Sequence, residues 1–93
     1  IIRTAALCTG SGGSLVREFI KTGTDLYISG DIKYHEARDV EVMGRAVIDT
    51  GHFGSEIIMI EAMADRLRNF FASSGNEIKI TEIRCEKEPF VFL

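Results

Sequence analysis

His52 and Glu56 stand four residues apart in the stretch Asp49-Thr50-Gly51-His52-Phe53-Gly54-Ser55-Glu56. If a helix has begun by His52, the imidazole and the carboxylate rise from one face, a turn apart. That pair can hold a divalent cation, although two groups fill only part of a coordination shell of four or more. The same spacing also suits a hydrogen-bonded loop histidine beside a first-turn acid favoured by the helix dipole. Two further stretches carry groups able to do chemistry. Thr9-Gly10-Ser11-Gly12-Gly13-Ser14 is a glycine loop between an apolar run and a helix, an order that points backbone N–H groups at an anion. It lacks the Gly-Lys-Ser/Thr of a P-loop and the Gly-x-Gly-x-x-Gly of a dinucleotide fold, and a tight turn with close helix packing accounts for the glycines equally well. Asp31-Ile32-Lys33-Tyr34-His35 sets four chemically able side chains in five positions, more than a turn requires. Asp31 can cap the following helix, and His35 can pair with Asp39 on a helix surface.

The elements that must position these groups follow from periodicity and punctuation. Ile2 to Cys8 is an unbroken apolar run that reads as a buried strand. Leu15 to Ile20 reads as a helix capped by Ser14 and stopped by Gly23. Leu26 to Ser29 is a second strand closed by Gly30. The next helix runs to about Met43 with Ala37, Val40 and Met43 as its buried side, and Gly44 ends it. Arg45 to Asp49 is a third strand feeding the His52 motif, and a long helix extends from there to about Phe71. Its apolar stripe is Ile60, Met63, Ala64, Leu67, Phe70 and Phe71, with Glu56 one turn ahead; an acid at the head of a core-facing stripe needs a partner or a metal. After the turn at Ser73-Ser74-Gly75-Asn76, Glu77 to Cys85 predicts a fourth strand, with a change of parity and a bulge near Thr81-Glu82. The order βαβαβαβ predicts an α/β domain of three layers, αβα, around a mainly parallel four-stranded sheet. Three strand-to-helix junctions, Gly10 to Ser14, Gly30 to His35 and Gly51 to Glu56, can then gather at one sheet edge, where such sheets hold ligands. The apolar tail Phe90-Val91-Phe92-Leu93 needs cover from this domain or a neighbour.

Ninety-three residues suit one small domain. A formal charge of -3 at pH 7 and no run of Lys and Arg argue against a nucleic-acid partner. No apolar run reaches membrane-spanning length and no signal segment is apparent, so the composition predicts a cytoplasmic protein without membrane contact. Cys8 and Cys85 form neither a disulfide framework nor a metal knuckle, and reduced, mostly buried thiols are expected. The chain opens Ile1-Ile2-Arg3 inside what reads as a strand and without an initiator Met, which predicts a processed product or a piece of a longer protein.

Gly10-Ser11-Gly12-Gly13-Ser14, Ser29-Gly30-Asp31-Ile32-Lys33-Tyr34-His35 and Asp49-Thr50-Gly51-His52-Phe53-Gly54-Ser55-Glu56, in that order and spacing, resemble the C-terminal portion of the GTP cyclohydrolase I type 2 homologues, the Nif-three-like family. The resemblance spans nearly the whole chain. It implies a longer protein of two related α/β lobes facing a cleft with two divalent metals, zinc, iron or manganese, and subunits that assemble up to a homohexamer. It implies that residues 1–93 form the C-terminal lobe, that His52 and Glu56 are its metal ligands, and that Asp31, Lys33, Tyr34 and His35 border the cleft. The remaining ligands would come from an N-terminal lobe absent from this chain. In a complete protein the implied reaction is metal-dependent hydrolysis, a metal-activated water attacking carbon or phosphorus of a small nucleotide or phosphoester. Lys33 or His35 would steady an oxyanion or move a proton, and Asp31 would share the catalytic cleft. The alternative is a metal-binding interaction or regulatory module without catalysis.

Overall fold

A computed structural model describes every residue except Phe92. The chain divides into two units, Ile1–Glu56 and Ile57–Leu93. The first holds three parallel strands in the order β1-β2-β3: β1 (Ala5–Ser11), β2 (Leu26–Gly30) and β3 (Ala46–Asp49). Between them lie a 3-10 turn (Gly13–Leu15) leading into α1 (Val16–Thr22), and then α2 (Tyr34–Val42). After β3 comes the short α3 (His52–Glu56), and the second unit carries α4 (Ile58–Ser73).

Strand alternation decides which side chains meet the helices. Val16, Phe19, Tyr27 and Val40 form the buried core, with Ala6, Cys8, Ile20, Ile32 and Val47 packed against it. Each fully buried apolar side chain of this kind contributes about 1.5–3 kcal/mol relative to exposure. The rings of Phe19 and Tyr27 stack with centroids 5.0 Å apart. Arg45 lies over Phe19, 5.6 Å from its centroid, and donates to the carbonyls of Phe19 and Ile20 near the end of α1. Gly23 closes that helix with φ of 79°. On the opposite parity, Leu7, Ile28 and Ile48 align in one row across the sheet, and Leu7 is 68% and Ile48 48% exposed.

The expected four-stranded sheet is not formed. Among the described residues the sheet has three strands, and 77–91 joins no ladder. The alternation of Ile78, Ile80 and Ile83 says which side chains could share a face, but a strand also needs a neighbour's N–H and C=O groups. Ile78 and Ile83 are exposed, so here the alternation creates no buried face. The charges of this segment turn to α4 instead: Arg68 holds Glu82 at 3.0 Å, and Arg84 holds Glu82 at 2.7 Å and Glu61 at 3.4 Å.

Smaller corrections have similar local causes. The first strand is displaced toward the glycine loop, because the Asp25 carboxylate takes the N–H groups of Arg3 and Thr4, both at 2.9 Å, ahead of the ladder. Ser14 lies within the 3-10 turn and does not cap α1, which starts from Leu15 without a side-chain cap. Lys33, not Asp31, is the N-cap of α2, and Glu36 accepts its backbone N–H at 2.8 Å. Met43 is exposed, leaving Val40 as the buried anchor of that helix. The helix after β3 is interrupted at Ile57. In the expected α4 stripe Ala64 is buried, while Met63, Leu67 and Phe70 are exposed. Both cysteines are free, Cys8 half-buried and Cys85 exposed. Of the apolar tail, Phe90, Val91 and Leu93 are exposed, and Phe92 lies outside the described residues. No helix among the described residues is long and apolar enough to cross a membrane.

Candidate functional site

The three strand-to-helix junctions meet within the first unit, and glycines and carboxylates hold them together. The β1–β2 register shifts between Leu7 and Ser11, a bulge that swings the backbone of Gly10 toward α3. There the Gly10 N–H donates to the Ser55 hydroxyl at 2.8 Å. A Cβ on Gly10 would collide with the Glu56 carboxylate and come within 3.3 Å of His52 Nε2. At the second junction a Cβ on Gly30 would come within 2.6 Å of the Gly51 carbonyl carbon and 2.7 Å of the His52 nitrogen, so two backbones touch where only glycine fits. Asp49 ties the second junction to the third: Oδ2 accepts the Ile32 N–H at 2.9 Å and Oδ1 the Gly51 N–H at 2.8 Å.

His52 stands where these contacts converge. Its Nδ1 lies 2.7 Å from Asp31 Oδ2, and its Nε2 lies 3.2 Å from Glu56 Oε2. The imidazole is therefore sandwiched between two carboxylates, one from the neighbouring junction and one from its own helix. The Asp31 hydrogen bond foremost, and the Glu56 charge after it, hold His52 above the ordinary imidazole range, although partial desolvation opposes them. Because the folded-state pKa is raised, the stability this group contributes is complete below its unfolded pKa. It is lost as pH rises through the folded value.

The side chain of Glu56 is 52% exposed. It is not the buried acid that the α4 stripe suggests, so burial by itself does not demand a metal there; its partner is His52. Lys33, Tyr34 and His35 lie at the start of α2, next to Asp31 in sequence, and all three are exposed. Among the described residues no ion pair joins Lys33 or His35 to the trio of Asp31, His52 and Glu56, and none joins His35 to Asp39. Asp49 and Ser55, which fix the junctions, were not among the expected site residues. The sequence signal that could have found Asp49 is an acid placed between a strand end and a glycine turn, where it can accept from backbone N–H groups.

As a metal site the arrangement fits in part. The donor set of an imidazole nitrogen and a carboxylate is suitable. Gly10 leaves room beside both donors, and the second imidazole nitrogen is engaged by a carboxylate, as in metal-ligating histidines generally. Yet no group of three or more His, Cys, Asp or Glu among the described residues is placed to hold an ion. The pair could hold an ion only with further ligands from outside the described residues.

Residues 1–89 match the DUF34/NIF3 family, NGG1p interacting factor 3. The chain is 36% identical over 89 residues to the GTP cyclohydrolase 1 type 2 homolog of Streptococcus pneumoniae, covering 96% of this chain and 33% of that protein. It is 39% identical over 85 residues to the homolog of Lactococcus lactis, covering 91% and 31%. Among solved structures, a Staphylococcus aureus protein superposes with a TM-score of 0.84 at 28% identity, covering 99% of this chain and 30% of that one. A Bacillus cereus protein related to NIF3 gives 0.82 at 25% identity, covering 99% and 25%. The chain thus spans between a quarter and a third of the length of these relatives. Matched along almost all of its length, the chain belongs to the DUF34/NIF3, or Nif-three-like, family.

Proposed function

We propose that this chain is the C-terminal lobe of a longer Nif-three-like protein and supplies His52 and Glu56 to a dinuclear metal site. The supporting observation is the paired orientation of His52 Nε2 and Glu56 Oε2, 3.2 Å apart beside a glycine that leaves the space open. In a complete subunit the other ligands come from an N-terminal lobe, subunits associate up to a hexamer, and the ions are zinc, iron or manganese. The class of reaction is metal-dependent hydrolysis of a small nucleotide or phosphoester, as the GTP cyclohydrolase name of the relatives suggests. Bound ions would supply Lewis acidity and a water of lowered pKa. The residues of this chain then have distinct work. His52 and Glu56 bind, Lys33 steadies negative charge developing on the substrate, and His35 moves a proton, both from the exposed start of α2.

The second reading is a metal-binding interaction or regulatory module. It is favoured by the small number of donors, since one imidazole and one carboxylate, each about half exposed, are too few to assemble a reaction centre by themselves. Elemental analysis with and without the paired change His52→Ala and Glu56→Ala separates these ideas. It should be run on this chain and on a version joined to an N-terminal lobe. About two ions per joined chain, lost in the double variant, is the expected result. Unchanged metal content in the double variant removes both residues from the ligand set. Metal retained without hydrolysis of any nucleotide tested leaves the module.

A further inference from the structure

Asp31 is the only non-glycine residue with positive φ among the described residues, at 53°. A side chain in this region is held at a cost of about 1 kcal/mol. Asparagine or aspartate tolerates the conformation best, but glycine would adopt it without strain. The backbone around it is fixed from both sides. Gly30, before it, packs on the backbone of Gly51 and His52, and the N–H of Ile32, after it, is held by Asp49. Strain retained in so constrained a place puts one carboxylate oxygen 2.7 Å from His52 Nδ1.

We infer that Asp31 is a positioning residue, which fixes the proton of the neutral His52 ring on Nδ1 and so directs the Nε2 lone pair toward Glu56 and Gly10. This deepens the ligand reading of His52 and Glu56 and rests on it for its functional meaning. Both carboxylates beside the ring can only accept, and a neutral imidazole has one hydrogen to give; Asp31 at 2.7 Å is the closer acceptor and Glu56 at 3.2 Å the more distant, so the hydrogen sits on Nδ1 and Nε2 is bare. The bare nitrogen is the one a cation needs. Asp31 acts through His52, and its value lies in the tautomer and ring angle it enforces before any ion arrives.

The test uses the full chain with 15N-labelled histidine, observed where the ring is neutral. The chain has two histidines, so loss of one signal set in His52→Ala assigns the other to His35. In the native chain the His52 ring is expected as the Nδ1–H tautomer. In Asp31→Gly, which keeps the positive φ available, the ring is expected to revert toward Nε2–H, the form that free histidine favours. Asp31→Asn, whose amide oxygen can still accept, is expected to restore part of the Nδ1–H population. Titration with Zn2+ alone is expected to show affinity reduced about 10- to 100-fold in Asp31→Gly. An unchanged tautomer in folded Asp31→Gly overturns the positioning role. If the tautomer shifts but Zn2+ affinity is indifferent to His52→Ala and Glu56→Ala, the ligand reading fails while the effect of Asp31 on the ring stands.

Discussion

The two units differ in what most of their charged side chains bond to. Ile1–Glu56 has ion pairs, but its loops are held by side chains bonded to backbone: Asp25 to the N–H groups of Arg3 and Thr4, Asp49 to those of Ile32 and Gly51, Ser55 to that of Gly10, and Arg45 to carbonyls of α1. In Ile57–Leu93 the charged groups bond mainly to one another, through Arg68 with Asp65 and Glu82, and Arg84 with Glu82 and Glu61. A side chain bonded to backbone fixes the path of a loop, whereas exposed ion pairs hold two mobile side chains and are weak and screened by salt. The candidate site lies in the unit where loop paths are specified.

The sharpest break in that comparison is Gly30→Ala. A Cβ there meets backbone, which cannot swing aside as a side chain can, so a loss of about 3 kcal/mol is expected in chemical denaturation. Asp49→Ala comes next, at about 1 kcal/mol, since it frees two N–H groups that water can partly satisfy. Its signature is faster amide exchange at both Ile32 and Gly51, and exchange quickened at only one would mean that the two junctions are held separately. The smallest effect sharpens the contrast between the units. Asp25 is held below the ordinary carboxylate range by the N–H groups of Arg3 and Thr4 and the Thr4 hydroxyl, and Glu82 by Arg84 and then Arg68. Both lowered pKa values give stability that is present above the unfolded pKa and lost as pH falls through the folded one. Added salt is expected to erode the Glu82 contribution, read as the difference between native and Glu82→Gln, and to spare that of Asp25, read against Asp25→Asn. Equal salt sensitivity of the two would remove the distinction.

How much of this was legible depends on whether the controlling interaction is local. Apolar runs ended by glycine marked three strands and two of the helices between them, because strand propensity, helix period and the Gly23 stop all act within a few residues. The convergence of the three junctions was also legible, since parallel strands joined by right-handed crossovers must place their following loops at one edge. The segment from Glu77 to Cys85 was not, because alternation records a face and leaves the ladder partner unspecified. Asp31 looked like a helix cap, its side chain one residue type among several that suit a turn. Its bond to His52 spans 21 positions, and its left-handed backbone is set by packing at Gly30 and by Asp49. Glu56 stands one turn ahead of an apolar stripe whose period predicts a core-facing helix, whereas α4 buries chiefly Ala64.

The row of Leu7, Ile28 and Ile48 carries a thermodynamic consequence. Parallel sheets ordinarily cover both faces, and unfolding then exposes apolar surface from each, which dominates the heat capacity change and the denaturant dependence. Where Leu7 and Ile48 are already wet in the folded chain, that surface contributes little to either quantity. The heat capacity of unfolding and the m-value of these 93 residues are accordingly smaller than chain length alone implies. The stability curve is correspondingly flatter, with less of its support coming from the hydration of the sheet.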